Sequence, residues 1–188
     1  VMLATILGTA QATLTKFPYL RKIWQKNTEE ERLLGVSLTG IMDNELTNGR
    51  KHGLEKTLTA LREVAVETNK EWSAIFGIPQ STAITCVKPS GTVSQLVDSS
   101  SGIHPRHSSY YIRTVRGDNK DPLTNFMKDS GIPSEADFMK PDTQTVFSFP
   151  MKSPKKSVVR NDMTAIEQLE MWLLYQRHWC EHKPSVTV

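Results

Sequence analysis

A short β-branched run, Thr82-Ala83-Ile84-Thr85-Cys86-Val87, leads directly into Lys88-Pro89-Ser90-Gly91 and then into Thr92. The run suits a buried strand, the proline and glycine turn the chain, and Thr92–Val97 reads as the opening of a helix. Two long helical periods bracket this stretch. In the first, Leu54, Leu58, Leu61, Ala65, Trp72, Ile75 and Phe76 recur at helical spacing until Gly77 and Pro79 stop them. The second is Met163–Glu181, with Trp172, Tyr175 and Trp179 read as core or interface. Strands alternating with helices point to an α/β fold.

The remaining segments are shorter. Leu3, Ile6, Leu7 and Ala10 share one face of a helix over Leu3–Leu14. Thr28-Glu29-Glu30-Glu31 has capping-box spacing, which predicts a helix starting there and running toward Leu34. Gly35–Met42 is apolar with small residues interleaved, and periodicity leaves a buried strand and a tightly packed helical turn equally open. Tyr110–Arg116 and Thr143–Phe149 read as strands, Asp121-Pro122 as the start of a short helix that Gly131 ends, and Pro150–Asp162 as a basic loop. Val186–Val188 begins one more strand, and that ending reads like a cut made inside a fold.

Composition narrows the class. The 188 residues suit one domain or a piece of a larger one, and we read 1–188 as a single fragment. Lys plus Arg number 23 against 20 Asp plus Glu, a net charge of +3. That excess is too small and too scattered for a nucleic-acid wrapper or a membrane-surface protein, but it admits small anionic ligands. Cys86 and Cys180 form no Cys-x-x-Cys pair and no apolar run reaches membrane-spanning length, so a reducing cytoplasm is the expected compartment. His178 and His182 stand four apart, a metal-compatible spacing. No glutamate of a His-Glu-x-x-His motif accompanies them, and a histidine-rich helix end answers equally to the helix dipole, so no metal site is assigned.

The chemistry concentrates between residues 88 and 105. A turn that ends in a helix start presents amides without intrahelical partners, which suits a phosphate. Gly91 permits close approach of a ligand to the backbone, and Ser90, Thr92 and Ser94 add hydroxyls. No Gly-Lys-Ser/Thr follows, so this is not a Walker loop. A structural turn with a Ser/Thr cap has the same appearance, and that alternative stays open on the residues alone.

Lys88-Pro89-Ser90-Gly91-Thr92-Val93-Ser94-Gln95-Leu96, followed by Ser100-Ser101-Gly102-Ile103-His104-Pro105, resembles the substrate-phosphate loop of ribonucleotide reductases. The run onward to Tyr111-Ile112-Arg113 is most similar to the adenosylcobalamin-dependent class, of the ribonucleoside-triphosphate type. Leu33–Asp43, Asp121-Pro122-Leu123 and His182–Val188 are similar too, in the same order.

The resemblance implies the C-terminal part of a ten-stranded α/β barrel. In that family a cysteine thiyl radical, generated through adenosylcobalamin, abstracts the ribose 3′-hydrogen. A carboxylate assists, and a cysteine pair supplies electrons for loss of the 2′-hydroxyl. On the same basis Ser90, Gly91, Thr92, Val93 and Ser94 are expected to hold the substrate phosphates. Gly102, Ile103 and His104 are expected near the substrate, with Glu standing at the His104 position in other classes; His104, Arg106 and His107 either add positive charge near a triphosphate or belong to a surface loop with ordinary solvated charges, and both readings stay open. The implied partners are a ribonucleoside triphosphate or diphosphate, the rest of the barrel, and a thioredoxin-type reductant; nucleic acid and membrane are not among them. The family's Asn-Pro-Cys motif, with glutamate two residues later, does not occur here, and neither Cys86 nor Cys180 matches a catalytic position. The expected function is therefore that of a reductase piece inactive alone, with no cobalt ligand identified. The alternative is a non-catalytic nucleotide- or anion-binding α/β module.

Overall fold

The computed structural model describes residues 1–188, which divide into two units: Val1–Arg106 with Lys156–Val188, and His107–Lys155. In chain order the elements are α1 (Met2–Gln11), α2 (Lys22–Glu31), β1 (Val36–Ser37), α3 (Leu54–Phe76), β2 (Thr85–Cys86), α4 (Val93–Leu96), β3 (Tyr110–Asp118), α5 (Pro122–Asp129), β4 (Ser134–Ala136), β5 (Gln144–Lys152) and α6 (Ala165–His178). No helix is long and apolar enough to cross a membrane.

In the first unit β1 and β2 pair in parallel, Val36 opposite Thr85 and Ser37 opposite Cys86. Residues 84–87 are all buried, as a β-branched strand between helices should be. Leu54 and Leu58 of α3, Ile84 and Val87 around β2, Ile41, Met42, Ile103 and Val158 form the core with Tyr175 and Trp179. The α3 helix spans the predicted residues, and Gly77 at φ +68° closes it by donating to the carbonyls of Ser73 and Ala74. Thr164 and Glu167 form a capping box at the start of α6. That helix ends at His178 rather than running to Glu181, because the chain must turn there to bury Trp179, whose indole donates to Cys86 O at 2.7 Å.

Several expectations change. Helix α2 ends where a helix was expected to begin. Thr28 Oγ1 donates back to Trp24 O instead of capping, and Arg32 turns left-handed at φ 47°. The Arg32 guanidinium then reaches Ala12 O, beyond the end of α1. In α1 itself the buried face is Thr5 and Thr9, whereas Leu3 and Leu7 are exposed. Buried Asn69 on α3 explains the reversal: its Nδ2 donates to Thr9 Oγ1 at 2.9 Å and Ser81 Oγ at 3.0 Å, and its Oδ1 accepts from Ser81 N. A satisfied polar cluster replaces the apolar seam that spacing suggested.

Gly35–Met42 contains both of the alternatives left open, a strand at Val36–Ser37 and a single 3₁₀ turn at Ile41–Asp43 after Gly40. Val186–Val188 is not a strand. Residues 181–185 instead lie along β2 through isolated bonds, Glu181 and His182 N–H to Thr85 O and Ser185 N–H to Val87 O. Pro184 has no amide to extend a ladder.

The second unit is an antiparallel sheet of order β3-β5-β4, with Tyr110 opposite Lys152 and Asp118 opposite Gln144. Both predicted strands are present and longer than expected; Pro150–Lys152, read as loop, complete β5 by pairing with Tyr110–Ile112. Asp121 caps α5 by accepting from Leu123 N at 2.9 Å, with Pro122 in the first turn. Strand β4 is three exposed residues, too short to leave an alternating pattern.

Candidate functional site

The chain leaves β2 through Val87 and Lys88, turns at Pro89–Gly91, and makes the single helical turn α4. Gly91, Thr92 and Val93 are exposed, and their amides make no hydrogen bond within the chain. Ser94 is fully buried, and its hydroxyl donates to Ser90 O, alongside the Ser94 N–H at 3.2 Å. Ser94 thus locks the turn, while three consecutive amides and the Thr92 side chain face outward.

Gly91 separates the needs of the fold from those of a ligand. Its φ is not in the left-handed region, and a Cβ built there meets no atom within 4 Å. Packing within the chain does not require glycine at this position. The absence of a Cβ leaves the backbone here open to close approach from outside.

Gly102 shows the opposite. Its φ is +56°, and a Cβ would lie 2.6 Å from Lys88 O. Gly102 is therefore fixed by the contact between its own loop and the turn. Its N–H is shared between Ser90 Oγ at 3.2 Å and Thr39 Oγ1 at 3.0 Å. Ser90 N donates to Ser101 Oγ at 3.0 Å, so the 99–102 stretch backs the turn directly.

An ion-pair network holds that stretch. Arg106, 5% exposed, donates Nε to Asp43 Oδ1 and Nη2 to Asp43 Oδ2, both at 3.0 Å, and Nη1 to Asp98 Oδ1 at 2.9 Å. Asp43 Oδ2 also accepts from Ser100 N at 2.7 Å. The charge of Arg106 is thereby committed to two carboxylates, which corrects the reading that it adds free positive charge for an anion.

His104 is committed as well. Its Nε2 accepts from Thr187 N at 3.0 Å, so Nδ1 carries the proton and donates to Ser101 O at 3.0 Å. Ile103 is fully buried, and its carbonyl accepts from Gln168 Nε2. Of the three residues expected near the substrate, Gly102 is the one bonded to the Ser90 turn. His107 lies in the other unit.

Both thiols are buried, and burial pushes each upward, Cys180 to about 12. At neutral pH they stay protonated and poorly nucleophilic. No group of three or more His, Cys, Asp or Glu gathers to hold a metal ion. His178 Nδ1 lies 3.2 Å from Thr59 Oγ1 and His182 Nε2 donates to Leu34 O at 2.8 Å, so the two rings serve different neighbours.

Sequence reading found the turn and set Gly102–His104 near it, but not the network that holds the two together. Thr39, Asp43 and Arg106 are distant in sequence from Ser90, and the stretch holding Thr39 and Asp43 read as packing. The one available signal was that Leu33–Asp43 resembles the same family as the turn.

No family model matches the chain. Over 93% of its length it is 31% identical to a probable adenosylcobalamin-dependent ribonucleoside-triphosphate reductase of Dictyostelium discoideum, of which it spans 22%. It is 29% identical over 168 residues to the adenosylcobalamin-dependent ribonucleoside-triphosphate reductase of Euglena gracilis, covering 88% of this chain and 23% of that protein. A crystal structure of a B12-dependent (class II) ribonucleotide reductase matches 98% of this chain and 30% of its own, with a TM-score of 0.81 and 25% identity. The chain spans about a quarter of the length of the curated relatives it matches. In sequence and in fold it is similar to one segment of the adenosylcobalamin-dependent ribonucleotide reductases.

Proposed function

We propose that this chain supplies the substrate-phosphate loop of an adenosylcobalamin-dependent ribonucleoside-triphosphate reductase. The observation that carries the reading is the outward row of unbonded amides at Gly91, Thr92 and Val93, beside a glycine that the fold itself does not require. Amides and hydroxyls in that arrangement suit the terminal oxygens of a polyphosphate. Ser90 contributes its hydroxyl, Thr92 its amide and hydroxyl, Gly91 and Val93 their amides, and Ser94 the lock that keeps the turn in shape. Gly102 supports Ser90 from behind, with Ile103 and His104 fixing the same loop. A triphosphate is favoured over a diphosphate by the names of the relatives.

The reducing chemistry belongs to the remainder of the enzyme. Adenosylcobalamin would supply the radical there, and a thioredoxin-type protein the electrons. No cobalt ligand is identified in this chain: both thiols are buried, the rings of His104, His178 and His182 have partners of their own, and no group of three or more His, Cys, Asp or Glu gathers around the exposed His52 or His107. With no Asn-Pro-Cys motif, the isolated chain binds phosphate and reduces nothing.

The test is titration of the chain with a ribonucleoside triphosphate, comparing wild type with Ser90→Ala combined with Thr92→Val. Loss of two charge-assisted hydrogen bonds should weaken binding by at least tenfold. Unchanged affinity in the double variant would remove the loop assignment. Addition of a protein bearing the Asn-Pro-Cys segment then separates the two functional classes: a reductase piece gains 2′-deoxynucleotide formation, and a binding module gains nothing.

A further inference from the structure

The Ser90 hydroxyl is useful to a phosphate only if its proton points outward, and its surroundings contain a device that decides this. Ser90 and Thr39 hydroxyls each carry one proton. Thr39 Oγ1 has two acceptors in reach, Ser100 O at 3.1 Å and Ser90 Oγ at 2.6 Å. Ser90 Oγ has one acceptor within the chain, Thr39 Oγ1. Both oxygens also accept from the shared N–H of Gly102.

Two proton arrangements fit these distances. In the first, Thr39 donates to Ser100 O and Ser90 donates to Thr39, so both protons are engaged internally and Ser90 offers only a lone pair outward. In the second, Thr39 donates to Ser90 Oγ and the Ser90 proton is released toward solvent. Ser100 O keeps a donor in both, because Gly40 N reaches it at 2.8 Å. Exchange between them needs rotation of two O–H bonds and no displacement of a heavy atom. In the second arrangement Ser90 Oγ accepts from Thr39 and from Gly102 N–H, which strengthens it as a donor.

We infer that Thr39 is a positioning residue for the phosphate turn: an arriving phosphate oxygen selects the arrangement in which the Thr39 hydroxyl donates to Ser90 Oγ and turns the Ser90 proton onto the anion. The inference rests on the reading of Ser90–Ser94 as a phosphate loop. Thr39 itself touches no ligand, and its contribution to affinity passes through Ser90, while its bonds to Gly102 N–H and Ser100 O serve the fold.

A double-mutant cycle on the 188-residue chain tests it, with inorganic tripolyphosphate as the calorimetric probe. Thr39→Val should weaken binding about fivefold, the effect of one ordinary hydrogen bond. Thr39→Ser, which keeps the hydroxyl, should bind within twofold of wild type, and thermal unfolding of each variant reports whether the fold survives. In a Ser90→Ala background, Thr39→Val should cost no further affinity, and the loss of the second acceptor of Gly102 N–H is read separately as a lowered unfolding temperature. If Thr39→Val costs as much affinity there as in wild type, Thr39 acts on the fold rather than through Ser90, and the inference is overturned. It is also overturned if Ser90→Ala weakens binding while Thr39→Val does not, an outcome that leaves the phosphate loop standing. Failure of wild type to bind tripolyphosphate removes the loop reading and this inference together.

Discussion

Two stretches of the first unit meet at Ser90 and are built on opposite principles. Pro89–Val93 is exposed, with three amides unbonded and a glycine that no neighbour crowds. Ser99–Arg106 is largely interior. Its guanidinium is held between two aspartates, its imidazole between two backbone groups, and its glycine is pinned at positive φ against Lys88 O. Even there the hydroxyls of Ser99 and Ser100 are buried without a partner, so the backing is ordered by its charges and backbone rather than by every polar atom. The contrast separates roles that one loop combines poorly. Donors left unbonded for a ligand do nothing to hold their own shape, so the shape is imposed from behind.

Removing the central cation should break the contrast most severely. Arg106→Ala leaves Asp43 largely buried with no counter-charge, which should cost about 3–5 kcal/mol, read as a lowered denaturation midpoint. Triphosphate binding by whatever remains folded should fall as well, because Ser100 and Gly102 lose their anchor. Stability unchanged to within about 1 kcal/mol would show that the network is incidental.

The two glycines sharpen the comparison at smaller amplitude. Gly102→Ala combines a left-handed backbone with a contact 2.6 Å from a carbonyl oxygen and should cost about 1–3 kcal/mol. Gly91→Ala should leave stability within about 0.5 kcal/mol of wild type. Its effect should fall on ligand affinity instead, a weakening of about tenfold. Equal stability losses at both sites would erase the distinction between a glycine kept for the fold and one kept for a ligand.

The effect that is smallest at neutral pH concerns the strand beneath the turn. Burial pushes Cys86 upward, and Cys180 from an ordinary value of 9.0 to about 12. A thiol raised in the folded state binds its proton more tightly than in the unfolded chain. Its contribution is present in full below pH 9.0 and is lost as pH rises toward 12. Unfolding midpoints should therefore fall progressively above about pH 9, less steeply in Cys180→Ala. Both thiols should also resist alkylation at pH 7 until the chain unfolds. Rapid labelling of the native chain would place the strand below the turn among the mobile parts.

How much was legible follows from how local each cause is. The α3 helix was readable to its ends because leucine spacing and Gly77 act within a few residues of one another. The α5 cap, the β3 and β5 strands and the turn at Pro89–Gly91 were readable for the same reason. The buried face of α1 was not, since Thr9, buried on the same face as Thr5, takes its partner from Asn69, sixty residues on. Nor was the end of α2 at Arg32, whose side chain is drawn to Ala12 O.

The sequence by itself determined the α/β character, the position of the turn and the glycine and hydroxyl residues that the turn carries, because proline, glycine and hydroxyl side chains set local geometry wherever they stand. Only the tertiary structure decided that Ser94 is buried with its hydroxyl on Ser90 O, that Arg106 is buried between two aspartates, and that Thr39 sits against Ser90. Those are questions of which groups are already partnered. A hydrogen bond or ion pair spanning fifty residues leaves no periodicity in the chain that makes it.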